Sequence, residues 1–217
     1  MSELFNEVDE EVRREQLKKL WDKYSIFIIA AAILIVAGVG GWRFYQYQEA
    51  QKAAVAGDAF NKAAELSDQG KHAEAEAAFT ALAANAPAGY RMLARFRAAA
   101  ELANRDPQAA VKMFDELAAD SSISAEQQAL ARLRAAGLLV DSARYSDMLH
   151  RLEGDTTPNA TFRHAARELL ALSAWRANDM TATRQWLDMI ALDAETPPSL
   201  RSRADALQAL LPPVAKS

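Results

Sequence analysis

The sequence contains no cysteine among its 217 residues. This absence excludes disulfide bonds, thiol catalysis and cysteine-ligated metal sites, and it is compatible with an oxidising compartment. Glycine and proline are also scarce, with 8 and 7 residues, and they lie almost only at boundaries between segments. The formal net charge of −4 gives no electrostatic case for a nucleic-acid partner. The long, alanine-rich part of the chain after residue 45 is therefore predicted to be all-helical.

Residue types that carry catalysis or bind metals are few and scattered. The three histidines, His72, His150 and His164, have no second ligand type at the spacing that a helical metal site requires. We interpret them as surface or packing residues. The sequence also lacks a glycine-rich phosphate loop and a nucleophile elbow. We expect no enzymatic activity, no cofactor and no metal.

One segment, Tyr24 to Trp42, runs for nineteen positions without a charged side chain. A helix of that length spans about 28 Å, close to the hydrocarbon thickness of a bilayer. Aromatic residues lie at both ends, as is typical of the two water interfaces. We therefore predict a transmembrane helix at residues 24–44. Its characteristic residues are Tyr24, Ile26, Phe27, Ile29, Leu34, Val36, Gly41 and Trp42.

The cations that flank this segment predict its orientation. Five precede it within twenty residues and three follow it. They are Arg13, Arg14, Lys18, Lys19 and Lys23 before the segment, and Arg43, Lys52 and Lys62 after it. By the positive-inside rule, residues 1–23 should remain cytoplasmic and the chain from residue 45 should be translocated.

The alternative to an anchor is a cleaved signal peptide, since small residues occur near the end of the apolar run. Three features argue against cleavage: the leading segment is long and acidic, the run exceeds a signal-peptide core, and bulky aromatic residues follow directly. We therefore expect an uncleaved anchor.

Helical segments follow one another after residue 48 with short loops between them. The predicted helices lie at 48–70, 72–84, 90–103, 107–119, 125–140, 144–152, 161–177, 181–192 and 199–211. Several starts carry capping residues, namely Asp106 before Pro107, Ser124 with Gln127, and Asp179. Loops of this length predict antiparallel neighbouring helices.

The second helix of each predicted pair shares a pattern, in which a small residue is followed four positions later by a large one and then three later by an aliphatic one. The period is 35 to 37 residues, which is typical of tetratricopeptide-type helical repeats. The repeat-packing residues are Ala75, Phe79 and Leu82; Ala110, Phe114 and Leu117; Tyr145, Leu149 and Leu152; and Ala182, Trp186 and Met189.

The fold class predicted from this pattern is all-α, a tetratricopeptide-like stack of antiparallel helix pairs over residues 45–211. The last two units are degenerate in this pattern. The final helix should cap the stack, and residues 212–217 should form a disordered tail. The alternative is an irregular helical bundle with accidental periodicity.

Two surfaces are candidates for binding. One is the inner face of the stack, onto which the first helix of each pair projects Phe60, Arg95, Phe96, Arg134 and Arg167. Arginines in a concave groove bind carboxylates or carbonyl oxygens of an extended peptide. The simpler alternative is that each arginine is solvated and paired with a nearby acidic side chain.

The second candidate surface is the segment from Leu4 to Tyr24. One stripe at helical spacing comprises Leu4, Phe5, Val8 and Val12, and another comprises Leu17, Leu20, Trp21 and Tyr24. The segment is suited to docking on a partner or to lying at the membrane surface. The alternative is a simple continuation of the anchor helix.

The order of these features resembles a known family. An acidic start with EVDEEVRREQLKKLWDKY, an uncleaved span, and WRFYQYQ leading into degenerate repeats are similar to the bacterial ancillary subunits of the SecYEG translocon. The resemblance implies an inner-membrane protein with a periplasmic tetratricopeptide-like domain.

The same resemblance implies a non-enzymatic scaffold or chaperone adaptor. Its implied partners are the SecYEG translocon, a membrane-anchored periplasmic chaperone of the peptidyl-prolyl isomerase type, and unfolded secretory polypeptides. The alternative function is that of a cell-envelope regulatory or assembly protein that acts partly through its cytoplasmic segment.

An uncleaved anchor predicts the mass of the mature chain. The protein isolated from membranes should retain its N-terminal segment, because the apolar run is longer than the core that a signal peptidase processes. Intact-protein mass spectrometry measures this directly. A chain that begins between residues 38 and 46 would contradict the anchor.

Overall fold

The computed structural model describes the backbone of residues 2–212 and, within the first helix, the side chains of residues 13–15 and from 17 onward. The chain divides into two units, one up to Ala54 and one from Val55 onward. The described part is helical and contains no strand. Its α-helices are α1 (Ser2–Asp68), α2 (His72–Asn85), α3 (Ala88–Leu102), α4 (Pro107–Ala119), α5 (Ala125–Leu139), α6 (Tyr145–Leu152), α7 (Arg163–Arg176), α8 (Met180–Leu192) and α9 (Pro198–Ala209), with a short 3-10 helix at Glu153–Thr156.

The first unit is the N-terminal part of α1 and contains the apolar run. By length and composition, α1 is the helix among the described residues that is able to cross a membrane. The large apolar side chains of the predicted span are all exposed, as contact with lipid requires. The stripe predicted at Leu4, Phe5, Val8 and Val12 lies outside the described side chains, and the predicted tail after Pro212 lies outside the described backbone.

The second unit is a stack in which each apolar cluster joins one helix pair to the first helix of the next. The first cluster joins the end of α1, α2 and α3, and the second joins α3, α4 and α5. The third joins α5, α6 and α7, and the fourth joins α7, α8 and α9. The helices α3, α5 and α7 thus each contribute to two consecutive clusters, which confirms the predicted tetratricopeptide-like architecture and its capping helix.

Adjacent small residues allow one helix to serve two clusters. On α3, Ala98 belongs to the first cluster and Ala99 to the second. On α5, Ala135 and Ala136 divide in the same way between the second and third clusters. These positions are fully or almost fully buried. A larger side chain there would separate helices that pack closely on both sides.

The predicted capping residues are confirmed. Asp106 accepts a hydrogen bond from the backbone N–H of Ala109 at 2.9 Å, and Asp179 accepts one from Ala182 at the same distance. Ser124 and Gln127 form a reciprocal capping box at the start of α5. Each interaction satisfies N–H groups that a helix start leaves without an intrahelical partner.

Two glycines in the first repeat meet specific backbone or packing requirements. Gly70 follows α1 with a φ of 74°, a left-handed conformation that glycine adopts without steric cost. Gly57 lies against Tyr90, and a Cβ atom there would stand 2.8 Å from the tyrosine Oη. The absence of a side chain at Gly57 lets the tyrosine ring approach α1 and stack near Phe60.

In the first two units, the predicted packing residues lie where the pattern puts them. Ala75 and Phe79 on α2 are fully buried, and Leu82 packs beside them with partial exposure. On α4, the corresponding residues are all buried in the second cluster; they are Ala110, Phe114 and Leu117.

In α6, the buried residues are Met148 and Leu152, whereas Leu149 is only partly buried. Tyr145 is also partly buried and packs at the edge of the same cluster. The register in α6 therefore agrees with the prediction at Leu152 but not along the whole helix.

In α8, the register lies one residue later than predicted. The buried positions are Thr183, Leu187 and Ile190, whereas Met189 is 39% exposed, so its assignment as a packing residue was wrong. Thr183 fits the small position because its hydroxyl donates to the Asp179 carbonyl at 2.7 Å.

Trp186 is partly buried and packs at the edge of both the third and the fourth cluster. Its indole N–H donates to Tyr145 Oη at 2.9 Å, which links α8 to α6. A buried indole N–H usually finds a hydrogen-bond partner, and Tyr145 supplies it for Trp186.

A buried carboxylate joins three helices of the first repeat. Glu101 on α3 is 4% exposed and accepts hydrogen bonds from Ser67 Oγ at 2.6 Å and from His72 Nδ1 at 2.8 Å. Burial acts to raise the pKa of Glu101, but the hydrogen bonds from Ser67 and His72 outweigh it and hold the pKa below its ordinary value. His72 is therefore a structural residue of this junction.

An arginine–aspartate pair recurs in three consecutive helix pairs. In each, an arginine on the first helix donates to the aspartate that follows the second helix. The closest contacts are Arg95 to Asp120 at 2.5 Å, Arg132 to Asp155 at 2.7 Å and Arg167 to Asp193 at 2.9 Å. The arginines are 37 and 35 residues apart, so these pairs follow the repeat.

The last of these aspartates is the centre of a larger cluster. Asp193 also accepts from Arg163 Nε at 2.7 Å, and His164 Nε2 lies 3.0 Å from it. The hydrogen bonds from Arg163, together with those from Glu195 N and Arg167, hold the pKa of Asp193 well below its ordinary value. Asp193 therefore stabilises the fold only while it is ionised.

We expect stability to fall as pH drops below about 4, the ordinary pKa of an aspartate in an unfolded chain. A carboxylate with a lowered folded-state pKa stabilises above its unfolded pKa and loses this contribution as pH falls through the folded value. Asp193→Asn should lower stability at pH 7 and flatten this pH dependence, as measured by thermal unfolding between pH 3 and 7.

The matched control is Asp188→Asn, an exposed aspartate on α8 without an ion pair to any described residue. It should leave both the stability and its pH dependence near those of the wild type. Equal pH profiles for the Asp193→Asn variant and the wild type would contradict the assigned role.

Candidate protein-binding groove

The first helices of the second, third and fourth pairs form an open groove of about 470 Å³. It runs from the C-terminal half of α3 across α5 to α7, and Phe114 from α4 also lines it. The lining residues are Ala100, Ala103, Phe114, Leu130, Leu133, Arg134, Gly137, Leu138, Ala165, Glu168 and Leu169. The groove is predominantly apolar, with one cation and one carboxylate.

Small residues create the space. Ala100, Ala103 and Ala165 line the walls on α3 and α7, and Gly137 faces the groove from α5. A Cβ atom added at Gly137 would have no other heavy atom within 4 Å, apart from its own helix and chain neighbours. Gly137 is therefore not required for packing, and its lack of a side chain keeps this part of the groove open.

The two charges in the groove differ in availability. Glu168 receives a bidentate interaction from Arg203 on α9, with contacts of 2.6 and 2.8 Å, so its charge is balanced. Arg134 is exposed and forms no ion pair or hydrogen bond with a residue that the structure describes. Arg134 is therefore the one charge in the groove that no described residue balances, and this charge is positive.

Arg134 is an exception among the arginines of the repeat unit. Fourteen arginines lie between residues 55 and 212. Within the described structure, thirteen of them bind a carboxylate, a backbone carbonyl or an aromatic ring. Of these fourteen, Arg134 alone contacts no hydrogen-bond acceptor and no aromatic ring among the described residues.

Of the residues predicted for the inner face, Arg134 lines the groove. The assignment of Arg95 and Arg167 to a peptide groove was wrong, because both belong to the recurring arginine–aspartate pairs. Arg167 is only 4% exposed and also donates to the backbone carbonyls of Thr156 and Met189. The simpler alternative, pairing with nearby acidic side chains, holds for these two arginines.

The two aromatic residues predicted for this face are partly buried and pack against the apolar clusters instead. Phe60 contacts Phe79 edge-on with ring centroids 5.1 Å apart and packs in the first cluster. Phe96 packs against Phe114 at 6.1 Å in the second cluster. Both assignments to the groove were wrong, because burying an aromatic ring is worth more than exposing it on an open face.

Sequence reasoning missed most of the groove lining, although a signal for it is present. On α5 the lining residues have the spacing i, i+3, i+4, i+7 and i+8, which marks one face of a helix. They are Leu130, Leu133, Arg134, Gly137 and Leu138. This face borders the alanine face of α5, and two of its residues, Leu133 and Leu138, also pack at the edges of the third and second clusters.

The histidines do not form a metal site. Among the described residues, no group of three or more potential ligands is placed to hold an ion. His72 contacts Glu101 and His164 lies beside Asp193, whereas His150 is exposed on α6. The prediction of surface or packing roles agrees with these positions, but it did not identify the two acidic partners.

Comparison with known proteins gives one family match. The tetratricopeptide repeat-like domain family matches residues 18–194. No curated protein and no solved structure matches the chain.

The family match covers most of the chain and includes both the apolar run and the four helix pairs. Repeat domains of this class present extended concave binding surfaces. The stacked pairs, the shared helices and the family match lead to the same conclusion: the chain belongs to the tetratricopeptide repeat-like domain family.

Proposed function

We propose that this protein is a single-pass scaffold and chaperone adaptor of the bacterial inner membrane that works at the Sec translocon. In this proposal residues 1–23 are cytoplasmic, residues 24–44 span the membrane, and the repeat domain lies in the periplasm. Its partners are the translocon, a membrane-anchored periplasmic chaperone of the peptidyl-prolyl isomerase type, and unfolded secretory polypeptides as they emerge.

The observation that carries the proposal is the groove, whose single cation has no partner among the described residues. Apolar walls and small side chains leave room for apolar side chains of a partner, and burying them would drive binding. Arg134 would then pair with a carboxylate of the bound segment. Unfolded polypeptides expose apolar side chains, so the groove suits this class of partner.

Three features support the anchored arrangement. The described side chains of the apolar run are exposed, as lipid contact requires. The flanking cations favour a cytoplasmic N-terminus. The family match begins at residue 18, so the matched region includes the apolar run.

A membrane anchor makes weak binding sufficient. Tethering confines the repeat domain to a thin layer beside the membrane, which raises its effective concentration toward any partner in the same layer. A groove of about 470 Å³ is small, and it accommodates only a few side chains of a partner. The combination suits repeated, short-lived contacts with emerging chains.

Substitutions at Gly137 should separate groove binding from folding. Gly137→Ala should stabilise the domain by about 0.5–1 kcal/mol, because alanine is the better helix former and its methyl group meets nothing. Gly137→Phe should fold normally while its ring fills the groove. Chemical denaturation measures both; a large loss of stability in the alanine variant would contradict the open position of Gly137.

Photocrosslinking in living cells tests the partners. A photoreactive amino acid at Leu130, inside the groove, should give adducts with translocon subunits, the periplasmic chaperone or secretory polypeptides. A probe at the exposed Lys112 on α4 provides the comparison. The Gly137→Phe change should reduce the adducts from Leu130 several-fold, because it occupies the same space.

The matched control is Gly89→Phe, which adds the same ring at an exposed glycine of α3 that also has free space around it. It should leave the adducts from Leu130 unchanged. If probes in the groove recover neither channel subunits, nor periplasmic chaperones, nor secretory chains, the proposed function is wrong.

A further inference from the structure

We propose that residues 13–24 of α1 form a binding surface for anionic phospholipid headgroups, a site distinct from the groove. The inference rests on the membrane span of the proposed function. It does not depend on the translocon or on any ligand of the repeat domain. The surface consists of an apolar stripe with cations along both of its edges.

The stripe follows from helical geometry. At about 100° per residue, Leu17, Leu20, Trp21 and Tyr24 fall within one sector of about 100° on α1. All four side chains are exposed, between 42% and 68%. The stripe continues toward the apolar span at Tyr24, so the two form one uninterrupted apolar surface at this end of the segment.

Cations border this stripe on both sides. Arg14 and Lys18 lie along one edge and Lys23 along the other, while Arg13 lies at its N-terminal end and Lys19 on the opposite face beside Glu15. The two carboxylates of this stretch, Glu15 and Asp22, fall on the opposite face. An apolar stripe with basic edges is typical of helices that bind the membrane interface.

The cations of this segment are largely available. All five are exposed. Among the described residues, Lys19 pairs with Glu15 at 3.7 Å, and Lys23 lies over the ring of Tyr24 at 5.3 Å. Five cations against two carboxylates give residues 13–23 a net charge of +3. Such a cluster beside a span attracts anionic lipids.

Their depth matches the headgroup layer. At 1.5 Å per residue, Lys23, Lys19 and Lys18 lie about 2 to 9 Å outside the hydrocarbon edge at Tyr24. The headgroup layer on each side of a bilayer is about 5 to 8 Å thick. Lys23 and Lys19 are therefore within the headgroup layer and Lys18 is at its outer edge, where lysine pairs with lipid phosphates as a compact point charge.

The acidic start of the chain does not cancel this charge. Its carboxylates end at Glu11, thirteen residues before Tyr24, which corresponds to about 20 Å along a helix. This distance exceeds the thickness of the headgroup layer, and the Debye length at physiological salt is about 8 Å. The charge of the segment thus changes sign along its length, with the cations next to the membrane.

Spin-label electron paramagnetic resonance measures the proposed selectivity on the full-length protein. The protein is placed in nanodiscs of phosphatidylcholine, and spin-labelled phosphatidylglycerol and phosphatidylcholine are compared for association with it. We expect a preference of roughly fivefold for phosphatidylglycerol at low salt, weakening at high salt. Replacing Lys18, Lys19 and Lys23 together by Gln should reduce the ratio toward one.

The matched control replaces Lys52, Lys62 and Lys71 by Gln, which removes the same charge from another part of the chain. Its lipid ratio should equal that of the wild type. Equal association of the two lipids with the wild type, or a ratio that survives the Lys18/Lys19/Lys23 change, would overturn the proposal. A photoreactive amino acid at position 17 tests for a protein partner. If the wild type shows no lipid preference but gives a protein crosslink that the Lys18/Lys19/Lys23 variant loses, the surface binds an acidic protein instead.

Failure of the proposed function gives a different result. If the chain does not span the bilayer, no motionally restricted lipid of either kind will be seen. Restricted lipid with equal association constants keeps the span and refutes only the lipid site.

Discussion

In the second, third and fourth helix pairs, an arginine of the first helix holds an aspartate that follows the second. Asp155, the partner of Arg132, is 7% exposed, and Arg167, the partner of Asp193, is 4% exposed. Breaking either pair would therefore leave a buried charge without its partner. The contact fixes where each second helix ends relative to the first, and hence where the next pair begins. In the first pair, Phe60 stands 35 residues before Arg95, and aromatic packing on Phe79 takes the place of the ionic contact.

The same constraint determines which side chains remain for binding. Because Arg95, Arg132 and Arg167 are directed at aspartates, they are not available to a ligand. Two positions beyond Arg132, Arg134 lies on a different face of α5 and opens into the groove. The groove itself exists because alanine and glycine leave space between the leucines that line it, while other alanines of α3 and α5 allow close packing in the clusters between pairs.

Much of the fold was predictable because it is encoded locally. Helix boundaries followed from proline, glycine and capping residues such as Asp106 and Ser124, and the period followed from the buried stripes of α2 and α4. The register of α8 was not predictable in this way. Threonine occupies the small position there through a hydrogen bond to its own helix, and Trp186 is drawn to Tyr145 on another helix. The groove was largely missed for a related reason: an arginine looks the same in a sequence whether it faces a buried aspartate or solvent.

The partition of cations into engaged and available ones links the fold to its two proposed binding surfaces. In the repeat unit almost every described arginine is committed to a carboxylate, a carbonyl or a ring, so that stability is gained where charge is neutralised. Charge remains uncompensated at Arg134, over apolar and small side chains, and along the edges of the stripe at residues 13–24. At both places the uncommitted cations adjoin exposed apolar surface, a combination that costs free energy in water and recovers it when an anionic, partly apolar partner covers it. A repeat domain that used its arginines in the groove as well as between its helices would lose this distinction, and a ligand carboxylate would then compete with the aspartates that hold the helix pairs together.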